Sequence, residues 1–136
     1  MSSTDYLEIP FQRLREVRAL LLRLHKALLE SERASYEQQN GPIQSKGHFF
    51  QLVIEDEWFS WLRPISQFIV QIDEALSAKE PATLQRVNEL LEEARNLLHP
   101  SEEGTAAEQR YYQAIQREPD VAIVHIQVSN LLRADS

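Results

Sequence analysis

The chain has 136 residues, of which 43% are hydrophobic and 26% are charged, and it contains no cysteine. This length suits one domain with a substantial core, and the balance of apolar and charged residues argues against wholesale disorder. Without cysteine the chain has no disulfide, zinc–thiolate site, iron–sulfur cluster or thiol nucleophile.

The formal net charge is −7 at neutral pH, so the chain on average repels a phosphate backbone and we expect no nucleic-acid partner. The longest apolar runs, such as ALLL and VAIV, are far shorter than the roughly 20 residues that span a bilayer. The opening MSSTDYLEIP has neither the basic start nor the apolar stretch of a secretory signal. We therefore expect a cytoplasmic protein with no membrane partner.

Apolar residues recur at spacings of three and four along most of the chain, which predicts an all-α fold. Residues 1–10 are expected to form a loosely ordered tail of the single domain. The expected helices cover, in chain order, about residues 11–38, 45–77, 81–99 and 105–133. The last one should kink or split near Pro119, because proline lacks the amide hydrogen that a helix interior uses.

Short polar turns between long helices are typical of an up-and-down four-helix bundle, which is the architecture we predict. A helical solenoid is the main alternative. The stretch YYQAIQREPDVAIVH is similar to the junction between two tetratricopeptide helices. Such repeats recur at about 34 residues, and no comparable stretch precedes this one, so the bundle is favoured.

The stretch EDEWFSWLRPISQFIVQIDE, residues 55–74, places three large aromatics, an arginine and a proline at the head of an apolar stripe. On a helical wheel the stripe fills an arc of about 120°, which indicates a core-facing surface that Pro64 bends. The predicted members of the arc are Ile54, Trp58, Trp61, Leu62, Ile65, Phe68, Ile69, Ile72 and Leu76.

A contact surface beside this bend is the alternative interpretation. Phe49 and Phe50 lie on different faces of the second predicted helix, so both cannot enter one core. Phe59 and Arg63 lie at the margin of the apolar arc. These four residues are our candidates for contact with a second copy of the chain or with another protein.

The first predicted helix carries polar residues on its apolar side. Arg18, His25 and Glu32 follow one another at intervals of seven, and Tyr36 continues the line. Burial of such groups is costly unless they are paired. With partners from the other helices added, the candidate ligand-binding residues are Arg18, His25, Glu32, Tyr36, Asp73 and His125.

Three interpretations of this polar line stay open. It is a set of hydrogen bonds that fixes helix register, a line turned toward solvent or a second subunit, or a pocket in the bundle centre. In the pocket, His25 and His125 would bind an anionic or polar ligand or act as acid and base. A fourth idea is an anionic partner bound along the basic side chains of the first helix, which are Arg15, Arg23, Lys26 and Arg33.

No motif of an enzyme or cofactor site is present. The sequence has no Glu-x-x-His, no His-Glu-x-x-His, no Gly-x-Ser-x-Gly and no Gly-rich phosphate loop. We therefore expect no cofactor, no metal and no catalytic residue. The sequence favours a non-enzymatic interaction or regulatory module, with a small-molecule-binding or metal-binding bundle as the alternative.

Two segments, RLHKALLESERASYEQQNGPI and LVIEDEWFSWLRPISQFIVQIDE, carry a resemblance to a known family. They resemble a family of small uncharacterised bacterial all-helical proteins over roughly the first half of the chain. The resemblance implies a bacterial cytoplasmic origin, and it implies no activity, ligand or partner.

Overall fold

A computed structural model of the protein describes residues 4–80 and 82–133. These residues form six α-helices and one 3-10 helix and contain no strand, which confirms the predicted all-α class. The elements are, in chain order, α1 (Thr4–Asn40), α2 (Lys46–Glu55), a 3-10 helix (Glu57–Leu62), α3 (Arg63–Ser77), α4 (Leu84–Leu97), α5 (Ala106–Arg117) and α6 (Pro119–Arg133). The predicted four-helix bundle is not confirmed, because the described residues form six α-helices.

The second predicted helix breaks at Asp56, whose backbone is extended (φ −81°, ψ 139°). The Asp56 carboxylate accepts a hydrogen bond from the Trp58 amide at 2.8 Å and so caps the 3-10 helix. Arg63 donates to the Val53 carbonyl at 3.3 Å and to the Asp56 carbonyl at 3.0 Å. These bonds satisfy groups that the break sets free. Pro64 occupies the first turn of α3, where its missing amide hydrogen costs little.

The 3-10 helix changes which side chains face the core. It turns every three residues rather than every 3.6, so Phe59 and Leu62 point the same way, and both are buried. Trp58 is half-buried against the core, as predicted for an inward residue. Ile54, which the continuous wheel placed inside, is 51% exposed, so that part of the predicted arc is wrong.

The last predicted helix divides at Glu118, between α5 and α6, which confirms the predicted split near Pro119. Helix α5 begins with the expected capping box. The Thr105 hydroxyl accepts from the Glu108 amide at 3.1 Å, and the Glu108 carboxylate accepts from the Thr105 amide at 2.7 Å.

Helix α1 begins earlier than predicted, at Thr4 rather than near residue 11, so residues 4–10 of the expected tail are helical. Residues 1–3 lie outside the described residues. Helix α4 begins at Leu84, where the Thr83 hydroxyl caps the Arg86 amide at 3.1 Å. The expected first residue of that helix, Pro81, also lies outside the described residues.

Helix α1 is the central element and packs against α3, α4, α6 and the 3-10 helix. Its core side is the predicted one, and each side chain in it is fully buried: Leu14, Val17, Leu21, Leu24 and Leu28. Burial of each such side chain contributes about 1.5 to 3 kcal/mol. The core therefore runs along α1 and ends in the aromatic residues of the 3-10 helix.

Candidate functional site

Glu32 of α1 is the one charged residue of the described chain that is almost wholly buried, with 2% of its surface exposed. Its carboxylate accepts from Arg110 at 2.5 Å and lies 3.5 Å from Arg117. Arg117 also donates to the buried Ser31 hydroxyl, at 3.0 Å from Nε and 2.6 Å from Nη2. Both arginines belong to α5, so this network attaches α5 to α1.

Arg110 extends the network to the 3-10 helix. It donates to the Trp58 carbonyl at 3.2 Å, and its guanidinium lies 5.4 Å from the Trp58 ring and 5.8 Å from the Trp61 ring. Cations over indole rings at this distance are attracted by the ring quadrupole. The indole N–H groups of Trp58 and Trp61 are buried and have no partner among the described residues.

Tyr36 joins the same cluster from α1. Its ring meets Trp58 edge-on at 5.6 Å and lies 5.8 Å from the Phe59 ring. Such aromatic pairs add about 0.5 to 1.5 kcal/mol beyond area burial. The aromatic stretch singled out in the sequence is therefore a packing centre where α1, α5 and the 3-10 helix meet.

Arg18 and Asp73 form a direct ion pair between α1 and α3. Their side chains remain 39% and 44% exposed, so the pair contributes only about 0 to 1 kcal/mol. Both residues border a groove of about 480 Å³ together with Arg15, Leu76 and Ser77.

The two histidines of the candidate set are both half-buried. Burial lowers the pKa of His25 and of His125. His125 of α6 contacts the Tyr111 hydroxyl of α5, with 2.7 Å between the oxygen and Nδ1. Burial raises the pKa of Tyr111, so this pair consists of a neutral phenol and a neutral imidazole at neutral pH.

Five of the six candidate ligand residues are thus taken up in separate contacts, and the sixth, His25, is half-buried on α1. Arg18 pairs with Asp73, Glu32 with the α5 arginines, and His125 with Tyr111, while Tyr36 packs on aromatic rings. These contacts favour the hydrogen-bonding interpretation of the polar line. A ligand pocket formed jointly by the six stays a prediction that no shared cavity supports.

Sequence reasoning missed the residues that neutralise Glu32. Arg110 and Arg117 are seven residues apart, a spacing that places both on one face of a helix. This spacing was the sequence signal that could have identified them as partners for Glu32. A helical wheel of α1 alone does not indicate which other helix covers Glu32.

The four candidate interface residues differ in their burial and contacts. Phe59 is fully buried, so its assignment to an interface is wrong, and the 3-10 turn is the reason. Arg63 is occupied in capping the break after α2. Phe49 is half-buried, with its ring 5.7 Å from the Phe59 ring and 4.9 Å from the Arg33 guanidinium. Phe50 is 67% exposed.

Two properties of the described ranges bear on the excluded function classes. Within residues 4–80 and 82–133, no three His, Asp or Glu side chains lie close enough together to hold a metal ion. None of the helices in the same ranges combines the length and the hydropathy needed to cross a bilayer.

Comparisons with known proteins give no relative for this geometry. No protein-family model, no curated protein and no solved structure matches the chain.

Proposed function

We propose that the protein is a non-enzymatic interaction module that pairs with a second copy of itself through α2. The observation that supports this is that α2, with the apolar sequence KGHFFQLVIE, contains no buried residue. The bacterial cytoplasmic setting remains an expectation from the sequence.

The outer face of α2 carries an unpartnered apolar stripe. Gly47, Phe50 and Ile54 follow at spacings of three and four, so they lie on one side of the helix. Phe49, Leu52 and Val53 lie on the other side and are half-buried against the core. Phe50 and Ile54 are 67% and 51% exposed, and covering each would contribute up to about 2 kcal/mol.

A second copy fits this stripe because the stripe is complementary to itself. In an antiparallel pair with the twofold axis near Gln51, the two Phe50 rings meet at the centre and Ile54 of each copy lies over Gly47 of the other. A Cβ added at Gly47 would meet only the Ser45 hydroxyl, at 3.9 Å, so this position has room for an isoleucine.

The expected association is weak. A helix of ten residues is about 15 Å long and cannot supply the roughly 800 Å² per partner of a standard interface. We expect a dimer that forms at protein concentrations between about 10 and about 500 micromolar.

Sedimentation velocity over that concentration range tests the proposal. Ile54→Glu should keep the protein monomeric, since it places a charge in the stripe, whereas Ile123→Glu is the matched control. Ile123 lies on α6 and is 52% exposed, nearly the same as Ile54. A wild-type monomer at the highest concentration would overturn the proposal. So would a dimer that Ile123→Glu dissociates and Ile54→Glu leaves intact.

A further inference from the structure

The end of α1 places an exposed asparagine directly before a glycine. Asn40 is the last residue of the helix, and Gly41 follows it with a left-handed backbone of φ +88°. A Cβ built on Gly41 would meet no atom within 4 Å, so no neighbouring residue crowds this peptide unit. Asparagine is a chemically labile side chain. We propose that Asn40 is a modification site at which the chain deamidates spontaneously, with water as the co-reactant.

The reaction joins two groups of one dipeptide, which makes it intramolecular. Hydroxide removes the proton of the Gly41 amide, and the nitrogen then attacks Cγ of Asn40. A bond forms between the Gly41 nitrogen and Cγ, and the bond between Cγ and Nδ2 breaks. Nδ2 takes a proton from water and leaves as ammonia, which regenerates the hydroxide. The product is a cyclic succinimide.

Water then opens the succinimide at either of its carbonyl carbons. Cleavage of the new bond to Cγ leaves aspartate at position 40. Cleavage of the original peptide bond leaves isoaspartate, in which the main chain runs through Cβ and Cγ. Either product carries a carboxylate in place of the amide, and the mass of the chain rises by about 1 Da.

Position in the fold separates Asn40 from the other asparagines of the chain. Asn88, Asn96 and Asn130 lie within α4 or α6 and are followed by glutamate or leucine. A side chain on the following residue hinders the approach of its nitrogen, and glycine has none. A continuing helix also engages that nitrogen in a bond to the preceding turn. We therefore expect the reaction at Asn40 before the other three.

Two hydrogen bonds oppose the reaction. The Gly41 amide donates to the Glu37 carbonyl at 3.0 Å, and Nδ2 of Asn40 donates to the Tyr36 carbonyl at 3.2 Å. Both belong to the last turn of α1, and the ends of helices open at much lower cost than their interiors. Each bond should slow the reaction by about two- to tenfold relative to the unfolded chain, which leaves Asn40 reactive in the folded protein.

Deamidation would weaken the turn that joins α1 to α2. A carboxylate at residue 40 cannot donate to the Tyr36 carbonyl. It also adds negative charge at the C-terminal end of a helix, one turn after Glu37. Isoaspartate in addition lengthens the main chain just before Ile43, which is buried and whose amide donates to the Glu37 carboxylate at 2.9 Å. The modified chain should therefore be less stable than the unmodified one.

Peptide mass spectrometry of the full chain, aged in mildly alkaline buffer, tests the site. The peptide that contains Asn40 should gain about 1 Da at least about tenfold faster than the peptides that contain the other asparagines. The rate should rise with pH, because hydroxide removes the amide proton. Equal rates at all of the asparagines, or no mass gain at Asn40, would overturn the proposal.

Variants separate the contribution of the sequence from that of the helix end. Gly41→Ala adds a methyl group beside the attacking nitrogen and should slow the reaction at least about fivefold. Glu89→Gly is the matched control, since it places a glycine after the exposed Asn88 inside α4. A reaction at Asn88 in this variant as fast as that at Asn40 would show that the end of α1 is not what makes Asn40 reactive.

The predicted loss of stability has its own measurement. Asn40→Asp copies one of the two products and should lower the midpoint of chemical denaturation, and an unchanged midpoint would contradict the weakening of the turn. Asn40→Gln keeps an amide but would need a larger ring, so its peptide should gain no mass. None of these changes lies in α2, so failure here leaves the dimer proposal standing.

Discussion

The buried carboxylate of Glu32 predicts an unequal response to the removal of the two sides of its ion pair. Arg110→Met leaves a carboxylate that is 2% exposed without its closest partner. Stranding a buried charge costs about 3 to 5 kcal/mol. Arg117 remains 3.5 Å away and offsets part of this, so we expect a loss of about 2 to 4 kcal/mol in the free energy of unfolding.

The reverse change should be cheaper. Glu32→Gln keeps the shape and an acceptor oxygen, and the arginines that it leaves are 33% and 37% exposed and can turn to water. We expect a loss of about 1 to 2 kcal/mol, which is the ordinary value of hydrogen bonds to a charged group. In the double variant the Arg110→Met change no longer leaves a buried charge unpaired. The double variant should therefore lose less unfolding free energy than the two single variants lose together.

Urea denaturation of the wild type, both single variants and the double variant measures this difference. Arg86→Met is the matched control, because Arg86 pairs only with exposed carboxylates at 3.6 and 3.9 Å and should cost under about 0.5 kcal/mol. The reasoning is refuted if Glu32→Gln destabilises as much as Arg110→Met, or if the two changes are additive.

Three further outcomes are expected. Phe59→Ala should cost about 3 to 5 kcal/mol of unfolding free energy in chemical denaturation, and Trp58→Ala less, because only Phe59 is fully buried; the opposite order would contradict the 3-10 phase. Burial lowers the pKa of His25, so the unfolded chain binds protons more readily. Stability should therefore be full above the ordinary pKa of 6.5 and fall as pH drops below it; His25→Gln should flatten part of the fall, and an unchanged slope would speak against this origin. Gly41→Ala should lower the free energy of unfolding by about 1 kcal/mol in chemical denaturation, since Gly41 has φ +88° at the end of α1. An unchanged free energy would mean that this turn relaxes to accommodate alanine.

Features that depend on neighbouring residues in the chain could be read from the sequence. The leucine side of α1, the capping box at Thr105 and the division near Pro119 were all predicted and are all present. Each rests on a local rule: a 3.6-residue period, a side chain that bonds an amide three residues on, or a proline without an amide hydrogen.

Features in which two local structures compete could not be predicted from the sequence by such rules. A wheel drawn through residues 45–77 assumes one uninterrupted α-helix. The Asp56 cap and the Arg63 bonds to two carbonyls together outweigh that continuity, although each contributes only about 1 to 3 kcal/mol. The resulting 3-10 segment rotates Phe59 inward and leaves Ile54 outside.

A helical wheel also could not identify which residues pair with the buried polar groups of α1. The prediction that a buried polar group on α1 must be paired holds for Glu32, but its partners came from α5 and not from the residues proposed. A period of seven places Arg18, His25 and Glu32 on one line, yet only Glu32 is fully covered, because the α5 arginines and the 3-10 helix contact α1 at that end. Burial along a helix is decided by its neighbours as much as by its own face.

The break at Asp56 also links the fold to the proposed function. Were the α-helix continuous, α2 and α3 would share one apolar stripe and α2 would bury its side of it. The break lets α3 keep the stripe that contains Ile65, Phe68 and Ile72, while α2 retains apolar residues and buries none of them completely. Folding therefore leaves the Phe50 and Ile54 side uncovered at a position that the core does not need. The dimer proposed above would cover this side of α2.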